Sequence, residues 1–344
     1  MKATPHVQRL IIAIATLFVG TLLSAQTVTL TMNPQTITGS ASSYLYGINL
    51  SKGKSLSVAT NADYKARLHK IGSGVFRYHG SIGTGAWLNA TKTGWDATTI
   101  NQVLSEMPIS TKDAIITIQG WPGWMDADSD GLLDAVYYDD FASLCASLVQ
   151  VVNGQLGMNI RYWEPTNEKN NVYTTTAHIQ ELAQIFDLCS QSMKAVDSSI
   201  QVVGGAWSWG SDWKLKTFLD SISTSSLDVW SYHTYTSFGS VSSIDAALAN
   251  VSTMTTQLNY SRTELNNRGF SSVPIWVDEF NVIYSWTGVD GVEYMSNYIG
   301  AVHDALVFQN VIADDRIEAL FAWTDAEPAF GKMAPDYQSL RPSG

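Results

Sequence analysis

The chain has 344 residues, of which 45% are hydrophobic and only 15% charged, and its formal net charge is −11. That balance suits a folded globular chain with a sizeable core and excludes a disordered or low-complexity one. The acidic excess argues against nucleic acid or an anionic membrane surface as partner, and against a polyanionic substrate unless a local basic pocket overrides it.

At the N-terminus, Lys2 and Arg9 precede an apolar run from Leu10 to Leu23, followed by Ser24-Ala25-Gln26. A basic start, a short apolar centre and a small residue before the cut describe a secretory signal peptide over 1–25. The run falls short of the roughly 20 residues of a comfortable membrane span. No comparable run follows, and no Cys lies near the cut to carry a lipid. The expectation is a secreted chain (extracellular or periplasmic) that is free of the membrane once the leader is removed. Residues 26–344 are read as one catalytic domain, monomeric.

TVTLTMNPQTITG (27–39) reads as an extra N-terminal strand with no obvious sheet to join. Eight further β-rich runs follow at 44–49, 74–80, 114–120, 159–164, 201–207, 227–235, 273–280 and 316–323. Several are nearly continuous apolar runs, as expected of strands buried on both faces. Helical patterns separate them. Within 177–197, Ile179, Leu182, Phe186, Cys189 and Met193 recur at steps of three and four, one face of a helix. Val292, Met295, Ile299, Val302 and Leu306 do the same before the last strand.

This alternation predicts an α/β fold, the (β/α)8 or TIM barrel. A doubly wound sheet with a dinucleotide site lacks its turn, because Gly204-Gly205 closes a strand and no third glycine opens a helix behind it. About twenty residues remain after the eighth strand without a helical pattern, so the C-terminal end is read as either irregular or truncated. Cys145 and Cys189 fall in helical patterns and read as two buried thiols, although an oxidising compartment would permit one bridge.

A barrel carries its chemistry at the C-terminal ends of its strands. Polar and aromatic residues gather there: Arg77 and His79, Trp121, Asn167 and Glu168, Trp207, His233 and Tyr235, Glu279, and Trp323. Glu168 closes the fourth strand and Glu279 the seventh, which face one another across an eight-stranded ring. Two carboxyl groups about 5–5.5 Å apart suit retaining glycoside hydrolysis, and a gap of about 6.5–9.5 Å suits inversion. Retention needs one group ionised to attack the anomeric carbon and the other protonated to release the departing oxygen. Glu168 is the candidate acid/base and Glu279 the candidate nucleophile. Asn167 is placed to bond a sugar 2-hydroxyl, and Tyr235 to donate to the nucleophile. His79 and His233 read as sugar-hydroxyl donors, and Arg77, grouped with them as a substrate-binding residue, either orients the nucleophile or balances charge in the barrel floor. Trp121, Trp207 and Trp323, with Trp87, Trp124, Trp209 and Trp286, lie at or beyond strand ends, where indole faces can stack on sugar rings. Glu164 reads as a buried partner of Arg77 or Arg161, and Asp278 as a structural residue on the far face of its strand.

Asn-Glu ending strand four and Glu ending strand seven resemble clan A of the retaining (β/α)8 glycosidases. Within it, FRYHG (76–80), VVGGAWSWG (202–210), VWSYHTY (229–235) and ALFAWTDAEPAF (319–330) look most like motifs of glycoside hydrolase family 39, the β-xylosidase and α-L-iduronidase family. The resemblance implies a glycosidase without a cofactor, acting on a β-linked polysaccharide or oligosaccharide. The chain departs from the clan's Asn-Glu-Pro, which is Asn167-Glu168-Lys169 here, with the proline at Pro165. The alternatives are a transglycosylase of the same clan, a non-catalytic barrel that binds glycans through its tryptophans, and a metal-dependent hydrolase. No metal-ligand spacing accompanies His79 or His233, so no catalytic metal is expected. Asp126, Asp128 and Asp130 before Gly131 match the opening of a calcium loop, but the twelfth position is Tyr137 instead of Glu. A structural calcium there is an expectation.

Overall fold

The structure is a computed structural model, and it describes residues 42–79, 85–107, 113–237, 244–283, 297–312 and 317–344. The leader, the strand expected at 27–39, Trp286 and the start of the helical pattern at 292 lie outside the described residues.

Each of the eight runs supplies one strand: β1 Gly47–Asn49, β2 Val75–Tyr78, β3 Ala114–Thr117, β4 Tyr162–Glu164, β5 Gln201–Trp207, β6 Val229–Ser237, β7 Ile275–Ile283 and β8 Ile317–Ala322. They pair in sequence order, and β1 closes on β8, giving a parallel barrel. Parallel neighbours cannot be joined by a tight turn, so the chain crosses between them through helices. These are α1 Ala62–Ile71, α2 Ala97–Ser105, α3 Tyr138–Val149, α4 Thr176–Val196, α5 Lys214–Ser221, α6 Thr253–Asn267 and α7 Tyr298–Ile312. The fold is the (β/α)8 barrel.

Local chemistry sets the helix ends. The Asn61 side chain accepts the Tyr64 N–H at the start of α1, and Gly72 closes that helix at φ +69°, where a side chain would be strained. Thr175 caps α4 by accepting from the His178 N–H. The apolar stripe of α4 (Ile179, Leu182, Phe186, Cys189, Met193) is buried throughout. Cys189 meets Cys145 of α3, and both are free thiols. Burial, followed by the hydrogen bond between the two, pushes the Cys145 thiol well up.

The barrel interior divides into two halves. At the N-terminal end, Val75, Ile115, Tyr162, Val203, Val229, Trp276, Ala319 and Phe321 form one apolar plug. Side chains on a strand alternate, so the next inward positions lie two residues on. On five strands those positions are Arg77, Thr117, Glu164, Ser231 and Asp278, all buried. The same periodicity that packs the lower half thus lifts a polar layer towards the mouth.

Beyond β8 the described chain carries no helix, so this end is irregular. Residues 323–344 fold back on the end of β1 and on α1 instead. The Asp325 N–H donates to the Asn49 carbonyl at 3.0 Å, and Arg67 Nη2 donates to the Gln338 carbonyl at 2.8 Å. Asp325 is fully buried and accepts from the Gly53 N–H (2.9 Å), the Lys52 N–H (3.1 Å), the Tyr64 hydroxyl (2.8 Å) and the Ser51 hydroxyl (3.1 Å). Asp325→Ala strips a buried acceptor from these donors and is expected to cost about 3 kcal/mol of stability. A urea titration checks this: the midpoint should fall with an unchanged slope. A loss under about 1 kcal/mol would mean the loop finds other acceptors.

Candidate active site

The polar layer converges on Arg77. Its Nε and Nη2 donate to Glu164 Oε2 at 3.0 and 2.7 Å, and Nη1 donates to Glu279 Oε1 at 2.9 Å and to Asn49 Oδ1 at 2.9 Å. Nη2 also donates to Asn167 Oδ1 at 2.6 Å. The guanidinium is fully buried. Burial works against its charge, but the carboxylates around it, Glu164 first, outweigh that and hold it protonated. Arg77 therefore acts from beneath the cleft and does not reach a substrate, which corrects its reading as a substrate-binding residue. Glu164 accepts from Arg77, from Thr117 Oγ1 and from Ser231 Oγ, and Arg161 is not its partner. Asp278 points into this network and not to the far face: its Oδ2 lies 3.7 Å from Arg77 and its Oδ1 3.5 Å from His233. Burial beside Glu164 keeps the Asp278 carboxyl well above the usual range, so it is neutral while Glu164 is ionised.

Above this layer stand Glu168 and Glu279. One oxygen of each, together with a ring nitrogen of His233, lie within 4.8 Å of one another. Glu279 takes Arg77 on Oε1 and the Tyr235 hydroxyl on Oε2 at 2.7 Å. Glu168 takes His233 Nδ1 on Oε1 at 2.7 Å. The backbone of Glu168 is left-handed at φ +50°, held there by its N–H donating to the Ala206 carbonyl at 2.8 Å. A non-glycine residue in that region costs about 1–3 kcal/mol, and such strain gathers at functional sites. β6 and β7 shift register between Tyr232 and His233, and the shift sets His233 opposite Glu279.

Burial lowers His79 well below its usual value, helped by Arg77 and Lys54, so His79 is neutral. His233 goes the other way: burial opposes its charge, but the carboxylates beside it, Glu279 first and Glu168 through its hydrogen bond, raise it to about 9. Glu168 is also opposed by burial, but the His233 hydrogen bond and charge bring it below the ordinary Glu value. In Glu279 burial wins over His233 and Arg77, and the carboxyl sits high. Between His233 and Glu168 the shared proton therefore rests on His233. Distance alone would let Glu168, His233 and Glu279 grip a divalent cation, but the Arg77 guanidinium on Glu279 already supplies the positive charge there.

These groups open into a cleft of about 690 Å³ lined by His79, Gln119, Asn167, Glu168, Asn171, Ser208, Trp209, Tyr235, Glu279, Trp323 and Phe330. His79, 3.4 Å from Glu279 Oε1, meets the Trp323 ring edge-on. Several expected sugar contacts are absent from the wall. Trp121 is only 9% exposed, and the Lys169 ammonium sits 3.8 Å over its ring. Lys169, which stands in place of the clan's proline, is lowered to about 8 by that burial. Trp207 is 1% exposed and packs on Trp230 and Phe218. His233 is fully buried and commits Nδ1 to Glu168, so it is not a sugar-hydroxyl donor. Trp87 is buried and Trp124 is exposed away from the cleft. Gln119, Asn171, Ser208 and Phe330 are lining residues that no motif marks; Gln119 lies two residues past the end of β3, where the barrel rule places chemistry. Asp126, Asp128 and Asp130 bring one oxygen each within 4.8 Å, and Asp126 and Asp130 already accept backbone N–H groups of their own loop.

The sequence model of a family described as glycosyl hydrolases family 39 matches residues 148–324, just over half the chain. No curated protein matches the sequence significantly. Among solved structures, a monomeric beta-xylosidase from Caulobacter crescentus CB15 is similar at TM-score 0.63 and 20% identity, over 88% of this chain and 66% of its own. A GH39 enzyme from Xanthomonas axonopodis pv. citri gives 0.62 and 17%, over 91% and 69%. An alpha-L-arabinofuranosidase from Thermotoga maritima, solved with arabinose, gives 0.62 and 14%, over 86% and 67%. At these identities the likeness concerns the fold, and the chain spans about two thirds of each of these structures.

Arg77→Met would leave Glu164 and Glu279 buried without their cation. Breaking a buried ion pair on one side costs about 3–5 kcal/mol, and the variant is expected to lose that much in denaturant unfolding. A variant as stable as the parent would show that the carboxylates are held by something else.

Proposed function

The chain belongs to glycosyl hydrolases family 39, and from that premise we propose a secreted glycoside hydrolase that cleaves β-linked polysaccharide or oligosaccharide with retention. The observation that carries the reading is the approach of a Glu168 oxygen to within 4.8 Å of a Glu279 oxygen at one barrel mouth. That close approach favours the shorter separation of about 5–5.5 Å typical of retention over the roughly 6.5–9.5 Å of an inverting enzyme.

In the first step Glu279 attacks the anomeric carbon and forms an ester bond to it. The glycosidic C–O bond breaks, and its oxygen takes a proton from Glu168. In the second step Glu168 removes a proton from water, the water oxygen bonds the anomeric carbon, and Glu279 leaves as carboxylate. Arg77 and Tyr235 fix the attacking carboxylate from below. Asn167 has given its carbonyl oxygen to Arg77, so its amide N–H is what it offers a sugar hydroxyl.

The charge order of the free site has to change before the first step, because Glu168 starts low and Glu279 high. A sugar ring in the cleft displaces water from Glu168 and raises it. The electron-poor anomeric carbon favours the ionised form of Glu279. The proton then crosses the 2.7 Å contact from His233 Nδ1 to Glu168 Oε1. The glycan is the only partner this chemistry requires, and the two carboxyl groups need no cofactor to complete it.

Glu279→Gln should lose the covalent adduct seen by mass spectrometry with an activated 2-fluoroglycoside. Glu168→Ala should lose roughly 10²–10⁴-fold in turnover, with activity towards activated aryl glycosides restored by azide. Near-normal turnover in both variants would refute the assignment. The pH profile of kcat/KM offers a separate check. Activity needs the Glu168–His233 pair to hold its proton, so it should fall as pH rises through about 9. It also needs Glu279 ionised, so the acid limb should lie above the ordinary carboxylate range. In His233→Gln the alkaline limb should move to lower pH, and an unmoved limb would show that His233 does not hold the proton.

A further inference from the structure

A second cavity, of about 520 Å³, adjoins the cleft and shares His79, Gln119 and Trp323 with it as a common wall. Its remaining lining comes from the segment after β1, chiefly Lys52, Lys54 and Ser55, from Ala86 after β2 and from Glu327 after β8. Glu327 is only 4% exposed; its Oε1 shares the single Ser51 hydroxyl proton, at 3.0 Å, with Asp325 at 3.1 Å, and its Oε2 has no donor. The nearest ammonium, Lys52 Nζ, stands 3.9 Å from Oε1, beyond hydrogen-bond reach. Lys54 is half-buried and makes no ion pair or side-chain hydrogen bond among the described residues. Burial penalises both charges, lowering Lys54 and raising Glu327. Acid and base thus share a cavity, both partly desolvated, without satisfying one another.

Such a pair matches a vicinal diol, in which one hydroxyl donates to the carboxylate and its neighbour accepts from the ammonium. The Trp323 indole, which faces both cavities, offers a flat wall to ring C–H groups. An acidic sugar fits less well, because its carboxylate would meet Glu327. The side of the scissile bond follows from Glu168. The departing oxygen must lie beside the acid, so the leaving group extends towards Asn171, Ser208 and Trp209. The second cavity lies on the opposite side, where β1, β2 and β8 end.

We propose that this cavity is a second glycone subsite, which binds the neutral sugar ring next to the one whose bond is cleaved. The inference rests on the hydrolase reading and deepens it, since it makes the substrate a chain and not a single terminal sugar. An enzyme limited to terminal sugars would have this space closed.

The test uses two pairs of probes: 4-nitrophenyl β-xyloside with β-xylobioside, and 4-nitrophenyl β-glucoside with β-cellobioside. The aryl group occupies the leaving-group side, so the added ring of a bioside can lie only in the second cavity. At least one bioside should exceed its monoglycoside in kcat/KM by about tenfold or more, equivalent to about 1.4 kcal/mol. Lys54→Ala, and Glu327→Gln as a variant of conserved shape, should each reduce that preference several-fold, chiefly through KM of the bioside. Turnover of monoglycosides with no bioside advantage, or a preference that both variants leave intact, would overturn the subsite alone. No turnover of any of the four probes would overturn the hydrolase reading and the subsite with it.

Discussion

A single buried cation organises this barrel. Arg77 sits fully buried where the apolar plug ends, with Glu164, Asp278 and Glu279 around it. An isolated guanidinium at that depth would be prohibitively desolvated, and so would each carboxylate without it. The charges are tolerable only together. Glu164 takes Nε and Nη2 of Arg77, and Nη1 goes to Glu279 and Asn49. The nucleophile of the proposed reaction is therefore fixed by the same contact that makes the interior stable, and Tyr235 restrains its other oxygen.

The site above Arg77 depends on small departures from regular strand geometry. A register shift in β6 and β7 brings His233 against Glu279 and leaves its other side for Asp278. Glu168 extends the pattern from β4 by a left-handed step tied to Ala206. These departures bring Arg77, Glu164, Glu168, His233, Asp278 and Glu279, from four strands, into one network. Its protons are shared, so the acid and base character of Glu168 and Glu279 belongs to the group and not to either residue alone. In the proposed reaction, sugar binding reverses their order through a short proton shift alone.

Much of this could be read from the sequence, for identifiable reasons. Strands buried on both faces leave continuous apolar runs, and the 21-residue α4 shows its stripe plainly. A closed ring of eight then carries Glu168 and Glu279 to one mouth whatever lies between them. Side-chain direction beyond a strand end was not legible. Trp121 and Trp207 end strands as Trp323 does, but one is roofed by Lys169 and the other packs among aromatic rings behind β5. His233 looks like any strand-end histidine until the register shift is known. Lys169 in place of proline has a physical reason only once Trp121 is seen beneath it. Nor could a local pattern reveal that the segment after β1 and the residues after β8 wall a second cavity, since these lie at opposite ends of the barrel sequence.

The stereochemistry of cleavage tests the central claim most directly. Proton NMR of a β-glycoside digest, recorded before the product mutarotates, reports which anomer forms first. Two carboxylates this close predict the β-anomer as first product. An α-anomer appearing first would mean that water attacks directly, and Glu279 would then be a base and not a nucleophile.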